Sequence, residues 1–168
     1  MLEAVGIVDV RQGHGTRIRE KAGEDSLSPL LFQLILEQGT NQQLIELRMM
    51  FEPAFTALAM EKASEEDLEW IQESIKDFEA KIKLDAQTAA DDLEFHRRIL
   101  AVTDNPFIIK IGSTVLELFR ASVSTSMKTI PKTALRDHKA IYKAFKAKDA
   151  DALNKAILRS YEGWEKAL

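Results

Sequence analysis

Most of the chain places its apolar residues at alternating spacings of three and four, which is the pattern of an amphipathic helix. The longest such segment runs from Gln42 to Lys62, and its apolar positions are Leu44, Leu47, Phe51, Phe55, Leu58 and Ala59. Pro53 lies inside this segment, so we expect the helix to bend there or to leave one carbonyl unpaired. The same spacing continues along the rest of the chain and predicts a helical protein.

Residues that cap or stop helices divide this pattern into segments. Ser28 and Gly39 bound a short first helix, Ser64 and Asp67 resemble a capping box, and Thr88 can cap the helix that follows it. The predicted helices are 29–38, 42–62, 64–83, 88–104, 107–127, 131–148 and 149–168. The predicted fold class is therefore all-α, an antiparallel bundle of about six or seven helices.

The first 19 residues follow a different pattern. Gly6–Val10 and Thr16–Arg19 are predicted to form two strands, joined by a turn that contains two glycines. An isolated hairpin is only marginally stable in water, so we expect this one to belong to a larger domain. The polar stretch 20–28 is predicted to be a linker. The expected organisation is a hairpin at 1–19, a linker at 20–28 and a helical domain at 29–168.

Composition narrows the class of protein. The 168 residues are 45% hydrophobic and 30% charged, which suits one ordinary globular domain with an appendage. The absence of cysteine excludes disulfides, thiol catalysis and cysteine zinc sites, and it fits a cytoplasmic location. No apolar run approaches the roughly 20 residues of a membrane helix, so we expect no membrane partner. A net charge of −4 does not favour nucleic-acid binding by the bulk of the chain.

Two histidines fall on inner faces of predicted helices. Asp92 and His96 are four residues apart on one helix, and His138 lies on the apolar stripe of another. Such a set is commonly a group of hydrogen-bonded core residues, and spacing alone favours that interpretation. The alternative is a metal site, because inward imidazoles and a carboxylate from separate helices are what a bundle uses to bind Zn, Ni, Fe or Mn.

Two regions of the chain resemble the FadR subfamily of GntR-type transcription regulators. The first, L-E-A-V-G-I-V-D-V-R-Q-G-H-G-T at 2–16, resembles the end of a winged helix-turn-helix domain with its wing hairpin. The second resembles the family's effector-binding FCD domain. Its motifs are E-L-R-M-M-F-E-P at 46–53, D-L-E-F-H at 92–96, D-N-P at 104–106 and D-H-K-A-I-Y-K-A-F-K-A-K-D-A-D-A at 137–152.

The resemblance implies a homodimer that binds DNA through winged domains and a small carboxylate effector through the bundle. Many family members hold a divalent metal on one Asp and three His, and Asp92, His96 and His138 match the first three ligands. The fourth ligand falls at Ser160, which is a poorer ligand for Zn, Ni or Mn than imidazole. Either water or the effector completes a weakened site, or the cavity binds its effector without metal.

The resemblance also suggests roles for residues outside the metal site. Arg48 matches an arginine of the family's E-x-R-x-x-x-E pattern and is a candidate carboxylate clamp, with Ser160 also facing the effector. The alternative for Arg48 is an ion pair with Glu52, four residues later. In the wing, the candidate DNA contacts are Arg11, Gly13, His14 and Gly15. In this chain a solvated turn is favoured there, because the helices that read the major groove would precede Met1 in a longer regulator.

The sequence therefore predicts a ligand-sensing domain of a bacterial GntR/FadR-type regulator that acts without catalysis. Two alternatives stay open. One is a metal-dependent hydrolase-like enzyme that activates water at an open coordination position. Against it, no further carboxylate or imidazole is clearly placed as a general base, and Glu94 is expected to point away from His96. The other alternative is a purely structural helical dimer.

Overall fold

A computed structural model describes residues 8–11, 15–18, 34, 36, 37 and 40–165 of the chain. Contacts divide the chain into a short N-terminal unit, Met1–Gln38, and a helical unit, Gly39–Leu168. The predicted linker at 20–28 lies outside the described residues, as does most of the predicted helix at 29–38. Of that helix, Leu34 and Leu36 are described and are helical.

The N-terminal unit contains a β-hairpin. Strand β1 (Val8–Arg11) pairs antiparallel with strand β2 (Gly15–Ile18). The register places Val8 opposite Ile18 and Arg11 opposite Gly15. Gly15 has a φ of 77°, in the left-handed region that glycine adopts without a steric penalty. Val8 is buried, whereas all four residues of β2 are exposed.

The helical unit is an all-α bundle, in agreement with the sequence prediction. Seven helices lie within residues 40–165: α1 (Asn41–Lys62), α2 (Glu65–Lys83), α3 (Ala89–Val102), α4 (Pro106–Leu118), α5 (Arg120–Thr129), α6 (Pro131–Lys146) and α7 (Ala150–Glu165). Helix α1 runs through Pro53 without a break. None of the described helices combines the length and the apolar character that a membrane crossing requires.

Reciprocal caps start the first three helices where the sequence placed them, within one or two residues. At α1, the Gln43 amide N–H donates to Thr40 Oγ1 over 3.2 Å, and the Thr40 amide donates back to Gln43 Oε1 over 2.9 Å. At α2, Ser64 and Asp67 make the same exchange. At α3, Asp91 accepts from the Thr88 amide. These caps satisfy amides that would otherwise lack a partner at each helix start.

The prediction of one continuous helix over 107–127 is wrong. The chain leaves helical hydrogen bonding at Phe119, which separates α4 from α5. Both α4 and α5 pack against α3, and Phe119 is fully buried at the junction. The interruption is confined to this one residue, whose backbone has a φ of −84° and a ψ of −8°. No glycine or proline marks the break.

Helix α3 lies at the centre of the bundle, packed against α1, α2, α4 and α5. Its apolar side chains Leu93, Phe95, Ile99 and Leu100 are all at most 2% exposed. The polar residues Asp92 and His96 lie on this buried helix, which removes them from water. Burying such groups costs free energy unless each finds a partner, so the packing around α3 determines what they do.

Candidate functional site

Four helices bring polar side chains to one buried cluster. Helix α1 supplies Arg48 and Glu52, α3 supplies Asp92 and His96, α6 supplies His138, and α7 supplies Ser160 and Tyr161. On α1 and α3 the paired residues are four apart, so each pair projects from one face of its helix. The structure thus brings together all five metal and effector residues that the sequence predicted.

Asp92, His96 and His138 present converging ligand atoms. The Nε2 atoms of the two imidazoles are 3.2 Å apart, and His138 Nε2 is 3.4 Å from Asp92 Oδ1. The three ligand atoms all lie within 4.8 Å of one another. Ligand atoms about 2.0–2.1 Å from a tetrahedral zinc ion are about 3.3 Å from each other, so these separations fit a shared divalent ion.

Glu52 completes the cluster, and the sequence analysis considered it only as an ion-pair partner of Arg48. Its Oε1 is 2.7 Å from His96 Nδ1, and its Oε2 accepts from Arg48 Nε over 2.6 Å. Arg48 Nη2 lies 3.1 Å from His96 Nε2. Because a guanidinium only donates hydrogen bonds, His96 Nε2 accepts from it, and His96 Nδ1–H donates to Glu52. A carboxylate on the far nitrogen is also how proteins orient a metal-binding imidazole.

Aromatic residues enclose the Arg48–Glu52 pair. The Tyr161 hydroxyl donates to Glu52 Oε2 over 3.1 Å. The Arg48 guanidinium carbon lies 5.6 Å from the centre of the Tyr161 ring and 5.7 Å from that of Phe119. Cations within about 6 Å of an aromatic face are attracted to it. The Tyr161 ring is thus part of the buried core, while its hydroxyl contacts the site.

Burial and neighbouring charges shift the pKa values of the cluster in opposite directions. Burial favours a neutral Glu52, but Arg48 and His96 outweigh it and hold the pKa of this carboxyl well below its usual range. Burial raises the pKa of Asp92, and His96 and Arg48 offset only part of that effect. Burial, with the nearby His96 and Arg48, lowers the pKa of His138 well below its usual value. His138 is therefore neutral at pH 7, the form that binds metals.

The cluster forms the floor of a cavity of about 40 Å³. The rest of its lining comes from α5, α6 and Ile130 between them. The apolar side chains there are Val123, Met127, Ile130, Ala134 and Ile141, and the polar ones are Ser126, Thr133 and the buried Asp137. Ser160 lines the same cavity, and its hydroxyl donates to the Ile157 carbonyl over 2.7 Å. Its oxygen lone pairs are thus the part of Ser160 available to a ligand. Glu94 instead pairs with Arg98 over 2.9 Å, away from His96 as expected.

The predicted DNA contacts lie in the hairpin, and little of them is described. Arg11 ends β1 and Gly15 begins β2, whereas Gly13 and His14 lie outside the described residues. Their role stays a prediction.

Comparison with known proteins assigns the helical unit to a family. The model of the FCD domain matches residues 43–163. The chain belongs to the FCD domain family. The FCD domain is the effector-binding domain of GntR-type transcription regulators, in agreement with the prediction from sequence. The matched segment includes all of the residues that line the cavity.

Curated relatives of this FCD protein are transcription regulators. The chain is 29% identical to the HTH-type transcriptional regulator LutR of Bacillus subtilis over 165 residues, which are 94% of this chain and 75% of LutR. It is 25% identical to the galactonate operon transcriptional repressor of Escherichia coli K12, covering 94% of this chain and 72% of the repressor. It is 24% identical to the repressor NanR of Cronobacter sakazakii, covering 93% of this chain and 63% of NanR.

Solved structures share the fold. Streptococcus agalactiae GntR superposes with a TM-score of 0.78 at 22% identity, covering 99% of this chain and 78% of that chain. Escherichia coli McbR/YncC superposes with a TM-score of 0.63 at 16% identity, covering 96% and 76%. The likeness extends to nearly the whole of this chain.

Proposed function

We propose that this FCD domain senses a small carboxylate in the cavity lined by α1, α3, α5, α6 and α7. The observation that carries the proposal is the buried Arg48 guanidinium, which lines the cavity beside two imidazoles and below an apolar wall. Arginine binds carboxylates through two parallel hydrogen bonds, and an apolar wall suits the carbon chain attached to such a group.

The size of the cavity favours a short ligand. A volume of about 40 Å³ is enough for a small group such as a carboxylate beside the cluster. Ser160 stands where the family resemblance implies a histidine ligand, and the smaller serine side chain leaves more space in the cavity.

A divalent ion is the proposed cofactor, held by Asp92, His96 and His138 with no imidazole at Ser160. Zn, Ni and Mn all accept this combination of ligands. When bound, such an ion supplies positive charge and an open coordination position for a carboxylate oxygen. Glu52 keeps His96 in the tautomer whose Nε2 faces the site, and Arg48 holds Glu52 in place.

Signal transmission follows from which helices carry the side chains that line the cavity. The cavity is bounded by helices that lie far apart in sequence, so a ligand that contacts several of them favours one arrangement of the bundle. In the proposed regulator this arrangement controls a winged domain that binds DNA through the hairpin residues Arg11, Gly13, His14 and Gly15. The assembly is proposed to be a cytoplasmic homodimer. Each relative reported above is named as a regulator, and none of them as an enzyme.

The test is ligand-induced stabilisation. The thermal unfolding midpoint would be measured with a panel of two- to six-carbon monocarboxylates, hydroxy acids, dicarboxylates and sugar acids, each with and without Zn²⁺. We expect at least one short carboxylate to raise the midpoint of the wild type. Arg48→Ala and His138→Ala should abolish that rise.

The matched control is Arg97→Gln. Arg97 is another arginine of the bundle, but it pairs with Glu117 over 3.3 Å at the surface, so its loss should leave the ligand response unchanged. If no carboxylate stabilises the wild type, or if Arg48→Ala responds as the wild type does, the cavity is not the carboxylate site.

A further inference from the structure

His96 Nε2 can bind either a hydrogen-bond donor or a metal ion. It accepts a hydrogen bond from Arg48 Nη2 at 3.1 Å, and it also lies 3.2 Å from His138 Nε2. It is the atom through which His96 would ligate a metal together with Asp92 and His138. Because Glu52 accepts the proton on Nδ1, the ring has a single lone pair to offer, and this lone pair lies on Nε2. That lone pair can bind the guanidinium or a metal ion, but not both at once.

We propose that Arg48 competes with a divalent ion for the lone pair of His96 Nε2. An effector carboxylate that binds Arg48 removes this competition, so the ion and the carboxylate bind cooperatively. The proposal rests on the carboxylate-sensing function and deepens it. Metal binding requires Arg48 Nη2 to leave His96, while the Arg48 Nε bond of 2.6 Å to Glu52 can stay. The displaced end of the guanidinium then lies beside the cavity, where a carboxylate can accept from it.

The positive charge of Arg48 also opposes metal binding, as does its hydrogen bond to His96. Arg48 and the proposed ion are both cations in a buried site, where electrostatic interactions are screened less than in water. Glu52 already neutralises Arg48, so the described residues leave Asp92 as the carboxylate among the three proposed ligands. An incoming carboxylate adds a negative charge between the two cations. Each ligand thereby strengthens the binding of the other, by the same factor in both directions.

The structure also explains why Ser160 matters for this coupling. Its hydroxyl faces the cavity as a weak oxygen donor, so the protein supplies three strong ligands at most from the described residues. A three-ligand site is weak enough for one competing hydrogen bond to change its occupancy. A fourth protein imidazole would hold the ion regardless of Arg48.

The experiment is a calorimetric titration with Zn²⁺ alone, in buffer free of carboxylates and chelators. The proteins are the wild type, Arg48→Gln and the control Arg97→Gln. We expect Arg48→Gln to bind Zn²⁺ at least tenfold more tightly than the wild type, and Arg97→Gln to match the wild type. Circular dichroism and a thermal melt would establish that each variant is folded.

A second variant covers the case in which Arg48→Gln fails to fold because Glu52 is left buried without its cation. The double variant Arg48→Gln/Glu52→Gln removes both charges of the buried pair and keeps an oxygen that can accept from His96 Nδ1. It should bind Zn²⁺ at least tenfold more tightly than the wild type.

The outcomes separate this inference from the proposed function. If the wild type binds Zn²⁺ and the variants without Arg48 bind it equally or more weakly, Arg48 does not compete with the metal. The metal site itself is then still supported. If neither the wild type nor the Arg48 variants bind Zn²⁺, the competition and the metal site both fall. Carboxylate sensing through Arg48 is then decided by the metal-free arm of the thermal panel.

Discussion

Replacing Glu52 by glutamine should destabilise the protein strongly, although the two side chains have nearly the same shape. Glu52 is 3% exposed and accepts from Arg48 Nε, His96 Nδ1 and the Tyr161 hydroxyl at 2.6, 2.7 and 3.1 Å. A glutamine offers one oxygen and an NH₂ group, so one of these donors would face another donor. The substitution would also leave the Arg48 cation buried without its nearest counter-charge.

The magnitude follows from these contacts. Removing one partner of a buried ion pair typically costs about 3–5 kcal/mol, and each hydrogen bond to a charged group contributes about 1.5–3 kcal/mol. The contributions overlap, so we expect a loss of about 4 kcal/mol in the free energy of unfolding. Such a loss is large compared with the total stability of about 5–15 kcal/mol of a typical domain.

Urea denaturation followed by circular dichroism measures the effect. With a slope of about 2 kcal/mol per M, the midpoint should fall by about 2 M. The control is Glu94→Gln, whose carboxylate pairs with Arg98 at 2.9 Å but is 42% exposed. Exposed pairs contribute about 1 kcal/mol or less, so this variant should unfold close to the wild type.

The refuting result is a Glu52→Gln protein that loses no more stability than Glu94→Gln. The double variant Arg48→Met/Glu52→Gln provides a second check, since it also removes the stranded cation. It should be more stable than Glu52→Gln alone, because a buried ion pair replaced by apolar groups often costs little. A double variant that is less stable by the sum of the two single losses would show that the residues act independently.

Three further predictions concern the site and the scaffold. Ser160→His, which adds an imidazole to the cavity wall, should tighten Zn²⁺ binding at least tenfold in calorimetry; unchanged affinity would mean that position 160 does not face the metal ligands. Phe145→Ala should cost about 3–5 kcal/mol in urea unfolding because the ring is 1% exposed, whereas Phe107→Ala, 79% exposed, should change stability by about 0.5 kcal/mol or less. Ser64→Ala should cost about 1 kcal/mol by the same assay, since Ser64 Oγ accepts the Asp67 amide at 3.1 Å; no loss would mean that water replaces this cap.

The helices were predictable where local chemistry defines their ends. Ser64 and Thr88 mark starts because each is followed three positions later by an aspartate whose carboxylate accepts from its backbone amide, a pattern visible in the sequence. The break at Phe119 has no such signal. The ring at the break is fully buried, and the three-and-four spacing is the same on both sides of it.

The site was predictable as a set of residues but not as a network. Helix spacing alone pointed to Asp92, His96 and His138, and the family resemblance supplied Arg48, Ser160 and the grouping. The contact between Glu52 and His96 joins α1 to α3 and depends on how the two helices pack. The available signal was the position of Glu52 on the same helix face as Arg48 and Phe55, where a carboxylate needs an inward partner.

The hydrogen bond between Tyr161 and Glu52 can form only after the last helix has been synthesised. It joins residues 109 positions apart, so it closes almost the entire helical unit on itself. During synthesis, Arg48, Asp92, His96 and His138 all emerge before the last helix, and the cavity then lacks Ser160 and the cover of Tyr161. A chain that stops short of α7 therefore carries every proposed metal ligand and yet lacks one wall of the site. The proposed ligand site is therefore complete only in chains that include α7.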